Sequence, residues 1–373
     1  MNHILLTGAT GLLGEYLLRD LTREGRPMAV LVRSNRRSSA AERVEAILQH
    51  WKPICGHLTA PKVLEGDITQ TSLGLSDEDQ HWAADNCSML IHSAASLKFQ
   101  PSGDEPWNSN LNGTRNALDF CEASGIPKLH YISTAYVCGK VDSVAFETTV
   151  HGTSEPRNVY EASKRQAEQL VMNSDLTDPP TILRPSIIIG DSQTGYTSTF
   201  HGPYLPLRLA LSMLSPKVAS EAGIRIGIDA LRILKMMGLS GQERKNVVPV
   251  DWVSRCISRI VRAPELHGQI YHLTADRSLS VEVLTRMTSE FLNKAYGFDM
   301  ADPVEFDPQL ENYFTAQMSV YREYWADDPT FDATNRILAL PDEPPPVIDE
   351  DMMRIMFQYV VDAEQQQYRV ATS

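Results

Sequence analysis

The stretch Thr7-Gly8-Ala9-Thr10-Gly11-Leu12-Leu13-Gly14 decides how the N-terminal half is read. An apolar run, His3–Thr7, leads into it, and apolar residues at helical spacing follow at Leu12, Leu13, Leu17, Leu18 and Leu21. Between a strand and a helix, such glycines permit a tight turn, close approach of backbone to a pyrophosphate, and close packing of helix on strand. The helix N-terminus then offers its unsatisfied N–H groups to the phosphates. Thr7, Gly8, Thr10, Gly11, Leu12, Leu13 and Gly14 are therefore expected to contact a dinucleotide.

Working outward, short apolar runs recur at Met28–Arg33, Lys62–Leu64, Ser88–His92, Lys128–Ser133 and Thr181–Ile189, each separated by a longer segment with helical spacing. Continuous apolar strands alternating with helices are what a buried parallel sheet requires. The expectation is an α/β, doubly wound (Rossmann) fold. After about residue 195 the alternation stops, two apolar clusters follow at Leu205–Leu214 and Leu231–Leu239, and strand-like runs return at Asn246–Val250 and Gln269–Leu273. Beyond 280 the chain reads as helical, then loop-rich around Pro341–Pro346, then helical again from Asp349. Residues 1–195, with returning segments near 246–275, are expected to form the nucleotide-binding domain, and 196–373 a smaller, mostly helical substrate-binding lobe.

The strand ends sharpen the cofactor. An Asp or Glu closing the second strand would bind the 2′-hydroxyl of NAD, but the chain continues Val32-Arg33-Ser34-Asn35-Arg36-Arg37. Arginines such as Arg33 and Arg37 suit the 2′-phosphate of NADPH instead. Asp67 and Ile68 after the third strand, and Ser93, Ala94 and Ala95 after the fourth, lie at C-terminal strand ends where such sheets bind ligands. Asp67 is expected to accept from adenine and the alanines to leave room, while His92 is expected to be packed.

Tyr160-Glu161-Ala162-Ser163-Lys164 places a phenol and an ammonium four apart on one helix face. A reductase needs a proton donor beside the carbonyl it reduces, and a nearby Lys⁺ favours the phenolate, tuning the tyrosine toward neutral pH. The pair follows a segment expected to be strand-like through Ile132-Ser133-Thr134-Ala135-Tyr136-Val137, whose hydroxyls are placed to stabilise negative charge on a substrate oxygen.

In order, these motifs resemble those of the extended short-chain dehydrogenases/reductases. The specific similarity is to the thioester reductase and fatty acyl-CoA reductase (male-sterility, NAD-binding) branch. It is carried by Thr7–Gly14, Gly66-Asp67, His92–Ala95 with Phe99, Asn110–Thr114, Ser133–Ala135, Tyr160–Lys164, Arg184–Asp191 and Val248–Trp252, over about residues 1–275. The resemblance implies Thr134, Tyr160 and Lys164 as the catalytic triad. Thr134 precedes the closing Gly139 by five residues and is preferred to Ser133 on that ground. It also implies that Asn110 supports the cofactor region, that Pro185, Ser186 and Ile187 lie beside the nicotinamide, and that Arg33 marks NADPH use. The implied reaction is reduction of an acyl thioester, on CoA or a separate carrier protein, to an aldehyde or on to the alcohol. An NAD(P)-dependent epimerase, dehydratase or hydroxysteroid-type dehydrogenase acting on an alcohol, ketone or nucleotide sugar would use the same apparatus.

Composition narrows the rest. The 373 residues carry a formal charge of −13, and residues 301–373 hold 15 acidic side chains against four arginines. Such a balance excludes a nucleic-acid binder held by phosphate contacts. There is no H-E-x-x-H, C-x-x-C, G-x-S-x-G or P-loop, so no metal, disulfide, hydrolase or NTPase chemistry is expected. No apolar run reaches the about 18 residues a membrane span needs, and the opening Met1-Asn2-His3 leaves no room for a signal peptide. A cytoplasmic protein is expected, with nothing in the sequence fixing its oligomeric state.

Overall fold

The structure, a computed structural model, describes residues 3–97, 104–150, 154–200, isolated positions between 202 and 238, 239–296, 312, 315, 316 and 325–372. Phe99 and most of the apolar clusters Leu205–Leu214 and Leu231–Leu239 lie outside the described residues. The chain divides into two compact units. One comprises residues 1–186, 251–274 and 329–344, and the other 187–250, 275–328 and 345–373.

The first unit is organised by a parallel sheet of seven strands: β1 (His3–Thr7), β2 (Met28–Val32), β3 (Lys62–Glu65), β4 (Cys87–His92), β5 (Lys128–Ile132), β7 (Thr181–Pro185) and β11 (Ile270–Leu273); the two-residue strands β6 (Val144–Ala145) and β9 (Arg244–Lys245) lie outside it. Their spatial order is β3-β2-β1-β4-β5-β7-β11. All neighbours are parallel, so the expected doubly wound fold is the observed one. β2, β7 and β11 are buried along their whole length and β1, β4 and β5 at all but one residue each, whereas edge strand β3 buries only Leu64. At the other edge, Asn335 donates to the Ile270 carbonyl at 2.9 Å from a short helix, Thr334–Ala339. Covering an edge in this way removes unpaired groups from solvent.

The connecting helices bury one face each. In α1 (Leu12–Arg23), Leu17, Leu18 and Leu21 are fully buried, each contributing about 1.5–3 kcal/mol by leaving water. α2 (Ala40–Cys55) starts from a capping box in which Ser39 accepts from Glu42 N–H and the Glu42 carboxylate accepts from Ser39 N–H. α3 (Asp77–Asn86), α4 (Gly113–Ser124) and α5 (Val159–Met172) complete the alternation, and α6 (Val250–Arg262) returns to α1 through Ser254 and Asp20, 2.6 Å apart.

Two strand expectations need correction. The run Thr181–Ile189 is two strands: β7 ends at Pro185, and β8 (Ile187–Ile189) pairs in the second unit with β10 (Val247–Pro249). Proline at the break donates no ladder hydrogen bond. The strand expected through Val137 stops at Ile132, because the Thr134 side chain caps a 3₁₀ turn over Ala135–Cys138. In the second unit, α7 (Val281–Tyr296) packs on α8 (Glu350–Thr372) through Phe291 and Phe357, and buried Lys245 pairs with Asp328 at 2.5 Å. No described helix is long and apolar enough to cross a membrane.

Candidate functional site

The strand order reverses between β1 and β4, and in doubly wound sheets ligands bind at the carboxyl ends beside that reversal. Thr7 and His92 are register partners there. The Thr7 hydroxyl bonds His92 Nδ1 at 2.8 Å and accepts from Ala94 N–H at 3.2 Å, so it ties the strand ends together. Thr7 is fully buried, so its side chain serves the frame of the site. His92 is packed as expected, within reach of Thr114 Oγ1 at 3.3 Å.

The three glycines of the loop have different reasons to be glycine. Gly8 has φ +76°, and a Cβ there would stand 2.7 Å from Ala94 N. At Gly14 a Cβ would run into the Gly8 carbonyl. At Gly11 a Cβ would meet only the Gly8 carbonyl, at 3.4 Å, so the protein itself does not demand glycine. Gly11 is also the N-cap of α1 and supplies no side-chain cap, leaving the first-turn N–H groups to an anion. A second orphan lies at Ser186, whose buried hydroxyl has no partner. An open backbone cradle, an uncapped helix and an unpartnered hydroxyl, all within the first unit, fit a dinucleotide.

Beyond β2, Arg33 reaches Asp67 at 3.3 Å while remaining exposed, and Arg37 is also exposed. Burial works against the Asp67 charge, but hydrogen bonds from Thr69 N–H and Oγ1 and the nearby Arg33 outweigh it and hold the carboxyl below its usual value. Sequence reasoning missed Arg43. Its guanidinium donates to the Arg33 carbonyl at 2.6 Å and to Thr10 Oγ1 at 2.9 Å, joining the helix after β2 to the glycine loop. The signal was present: the Ser39/Glu42 capping box fixes the helix start and puts Arg43 in its first turn. Ile68 follows β3 at the sheet edge, and Ser93 and Ala95 follow β4, the strand next to β1.

Asn110, buried in a single π-turn before α4, accepts from Ser96 N–H at 2.7 Å and donates to Ser163 Oγ at 2.9 Å. It thereby links the segment after β4 to α5. α5 begins at Asn158, whose side chain accepts from Glu161 N–H at 2.9 Å, so Tyr160 stands in the first turn. Tyr160 shares a hydrogen bond with Thr134, whereas Ser133 donates to Glu168. The two hydroxyls at the end of β5 therefore do separate work.

The charge state differs from the expectation for this pair. Burial pushes the Tyr160 hydroxyl up, Glu161 adds to this and the Thr134 hydrogen bond opposes it. Burial also drives Lys164 down to about 7, with Glu168 opposing. The ammonium donates to the Ile132 carbonyl at 2.6 Å and is not what sets the tyrosine's titration. Burial and Glu161 thus favour the protonated Tyr160 phenol.

Beneath the pair lies a buried ion pair that the motif reading did not single out. Glu168, one turn beyond Lys164, accepts from Arg184 Nε at 3.1 Å and from its second nitrogen at 2.5 Å. Arg184 also donates to the carbonyls of Phe146 at 3.3 Å and Thr148 at 2.9 Å and lies 3.2 Å from His272 Nε2. The spacing of Tyr160, Lys164 and Glu168 along one helix face was the available signal.

Several known proteins are similar to this chain. The nonribosomal peptide synthetase asaC of Aspergillus flavus is 26% identical over 327 residues, 83% of this chain and 29% of that protein. A putative fatty acyl-CoA reductase of Drosophila melanogaster, CG8306, is 30% identical over 241 residues, 54% of this chain and 46% of the relative. The chain thus spans well under two thirds of these curated relatives. The terminal R domain of the myxalamid PKS-NRPS pathway superposes with a TM-score of 0.70 at 23% identity, over 98% of this chain and 91% of that one, and so shares the fold. Residues 6–257 match the model of the NAD-binding male sterility protein family. With the glycine loop at the sheet reversal and Thr134, after β5, bonded to Tyr160 of α5, the chain belongs to that family, within the thioester reductase branch of the extended short-chain dehydrogenases/reductases.

Proposed function

We propose that the protein is an NADPH-dependent reductase that converts an acyl thioester, carried on CoA or on a separate carrier protein, to the aldehyde. The observation that carries the reading is the hydrogen-bonded Thr134–Tyr160 pair at the end of β5, with Lys164 one turn along α5. Two adjacent hydroxyl donors suit a carbonyl oxygen that becomes an oxyanion. The printed names of relatives, a fatty acyl-CoA reductase and a terminal R domain, support the same substrate class.

Bound NADPH supplies the hydride. Thr134 and Tyr160 donate hydrogen bonds to the thioester oxygen and gain strength as negative charge develops there. The high Tyr160 pKa keeps its proton in place for this task. When the tetrahedral adduct collapses, the C–S bond breaks, the carbonyl re-forms, and the thiolate leaves and takes its proton from solvent. Lys164, held by the Ile132 carbonyl, keeps a positive charge beneath the site while it is protonated. Gly8, Thr10, Gly11, Leu12, Leu13 and Gly14 hold the pyrophosphate, Asp67 and Ile68 the adenine side, and Ser93–Ala95 with Pro185–Ile187 the nicotinamide side. Absence of an acid after β2, together with Arg33, Arg37 and Arg43, favours NADPH over NADH. The second unit supplies the acyl-binding lobe.

The test is NADPH consumption by purified protein across acyl-CoA and acyl-carrier thioesters, with products identified by mass spectrometry. Aldehyde formed by wild type and lost in Tyr160→Phe supports the reading. NADPH binding without turnover on any thioester overturns it in favour of an alcohol, ketone or nucleotide-sugar substrate.

A further inference from the structure

The geometry points to Tyr131 as a positioning residue: the face of its ring carries the Lys164 ammonium and, with the Ile132 carbonyl, fixes where that charge sits. This inference deepens the proposed function and rests on Lys164 serving the same site.

Lys164 Nζ lies 4.2 Å from the Tyr131 ring centroid, inside the range of a cation–π contact. The same ammonium donates to the Ile132 carbonyl at 2.6 Å, so adjacent residues of β5 hold it from two sides. Tyr131 cannot swing away. It is fully buried, and its ring stacks on His92 with centroids 5.9 Å apart and planes 19° from parallel. His92 is in turn fixed by Thr7. The Tyr131 hydroxyl lies beside Thr114 without a hydrogen bond of good geometry, so the ring is the part in use.

The other groups around Lys164 do not replace this contact. On α5 itself stand Tyr160, whose burial favours the protonated phenol, and Glu168, whose carboxylate is occupied by Arg184 of β7 and Ser133 after β5. From β4, His92 is held neutral, burial and the Lys164 charge together lowering it to about 3. The Tyr131 face thus acts beside Glu168, whose charge also favours the protonated lysine.

The experiment is a pH titration of Lys164 by NMR in protein labelled with ¹³C at lysine Cε, the resonance being assigned with Lys164→Arg. Tyr131→Phe keeps the ring face, and its Lys164 midpoint is expected within a few tenths of a pH unit of wild type. Tyr131→Leu removes the face, and the midpoint is expected to fall by about one pH unit. If Tyr131→Leu does not fold, phenylalanines bearing one, two and three ring fluorines at position 131 weaken the face at nearly constant shape and should lower the midpoint stepwise. The alkaline limb of kcat/KM should move with the midpoint in each folded variant, a shift that loss of packing alone would not produce. An unchanged midpoint in Tyr131→Leu or across the fluorinated series overturns the inference. Absence of turnover on every thioester by wild type overturns the reductase reading instead, and the lysine titration still decides this one.

Discussion

Replacing Arg184 with Met perturbs the deepest charge in the first unit, and the structure sets the size of the effect. The side chains of Arg184 and Glu168 are 1% and 4% exposed. The substitution leaves the Glu168 carboxylate buried with only the Ser133 hydroxyl bonded to it, and it takes donors from the carbonyls of Phe146 and Thr148. Breaking one side of a buried pair costs about 3–5 kcal/mol, because the partner charge stays behind uncompensated. Out of a total of about 5–15 kcal/mol, the variant folds with little margin. Replacing both partners, in Glu168→Leu/Arg184→Met, removes the stranded charge and should recover most of the loss, leaving about 1 kcal/mol for each abandoned carbonyl. Urea unfolding of the four proteins of the cycle gives a coupling energy, expected at about 2 kcal/mol or more. A single variant within about 1 kcal/mol of wild type, or a double variant as unstable as the sum of the singles, would refute the reasoning.

Three more outcomes follow from local features. Burial holds His92, His130 and His272 at about 3 against an ordinary 6.5, so each stays neutral in the fold and takes its proton on unfolding. Stability is therefore complete above pH 6.5 and falls below it by about 1.4 kcal/mol per pH unit for each histidine. His130 has no side-chain hydrogen-bond partner among the described residues, so His130→Phe should remove about 1.4 kcal/mol per pH unit from the pH dependence of unfolding free energies taken from pH 6 to 5, and an unchanged dependence contradicts the assignment. Gly11→Ala, at φ −93°, should leave stability within about 1 kcal/mol of wild type yet weaken dinucleotide binding at least about tenfold in calorimetry, whereas Gly8→Ala should lose both. Arg43→Gln should lower kcat/KM with NADPH about 10–100-fold and leave the value with NADH unchanged. Equal losses with both cofactors would mean that Arg43 only braces the loop.

The sheet was legible because its strands are short, apolar and buried on both faces, and β1, β2, β4 and β5 start or end within a residue of their apolar runs. The glycine loop and the Tyr160/Lys164 spacing were legible for a related reason, since both are local in sequence. What stayed hidden was created by contacts between distant segments. Arg43 meets Thr10 across 33 residues, and Tyr131 meets Lys164 only because β5 lies beside α5. The split at Ser186 was hidden as well, since Ile187–Ile189 is as apolar as the strand before it and only its pairing with β10 separates the two. The tyrosine's charge state could not be read from spacing, because burial and the Thr134 hydrogen bond set it.

The central claim is hydride transfer to a thioester carbonyl, and isotope transfer tests it most directly. NADPH carrying deuterium at the transferring position, incubated with the protein and an acyl-CoA or acyl-carrier thioester, should yield an aldehyde with one deuterium on its carbonyl carbon and one equivalent of free thiol. Tyr160→Phe should bind the labelled cofactor and form neither product beyond about a hundredth of the wild-type rate. Label remaining in the cofactor with every thioester, while an alcohol, ketone or nucleotide sugar exchanges it, would contradict the account.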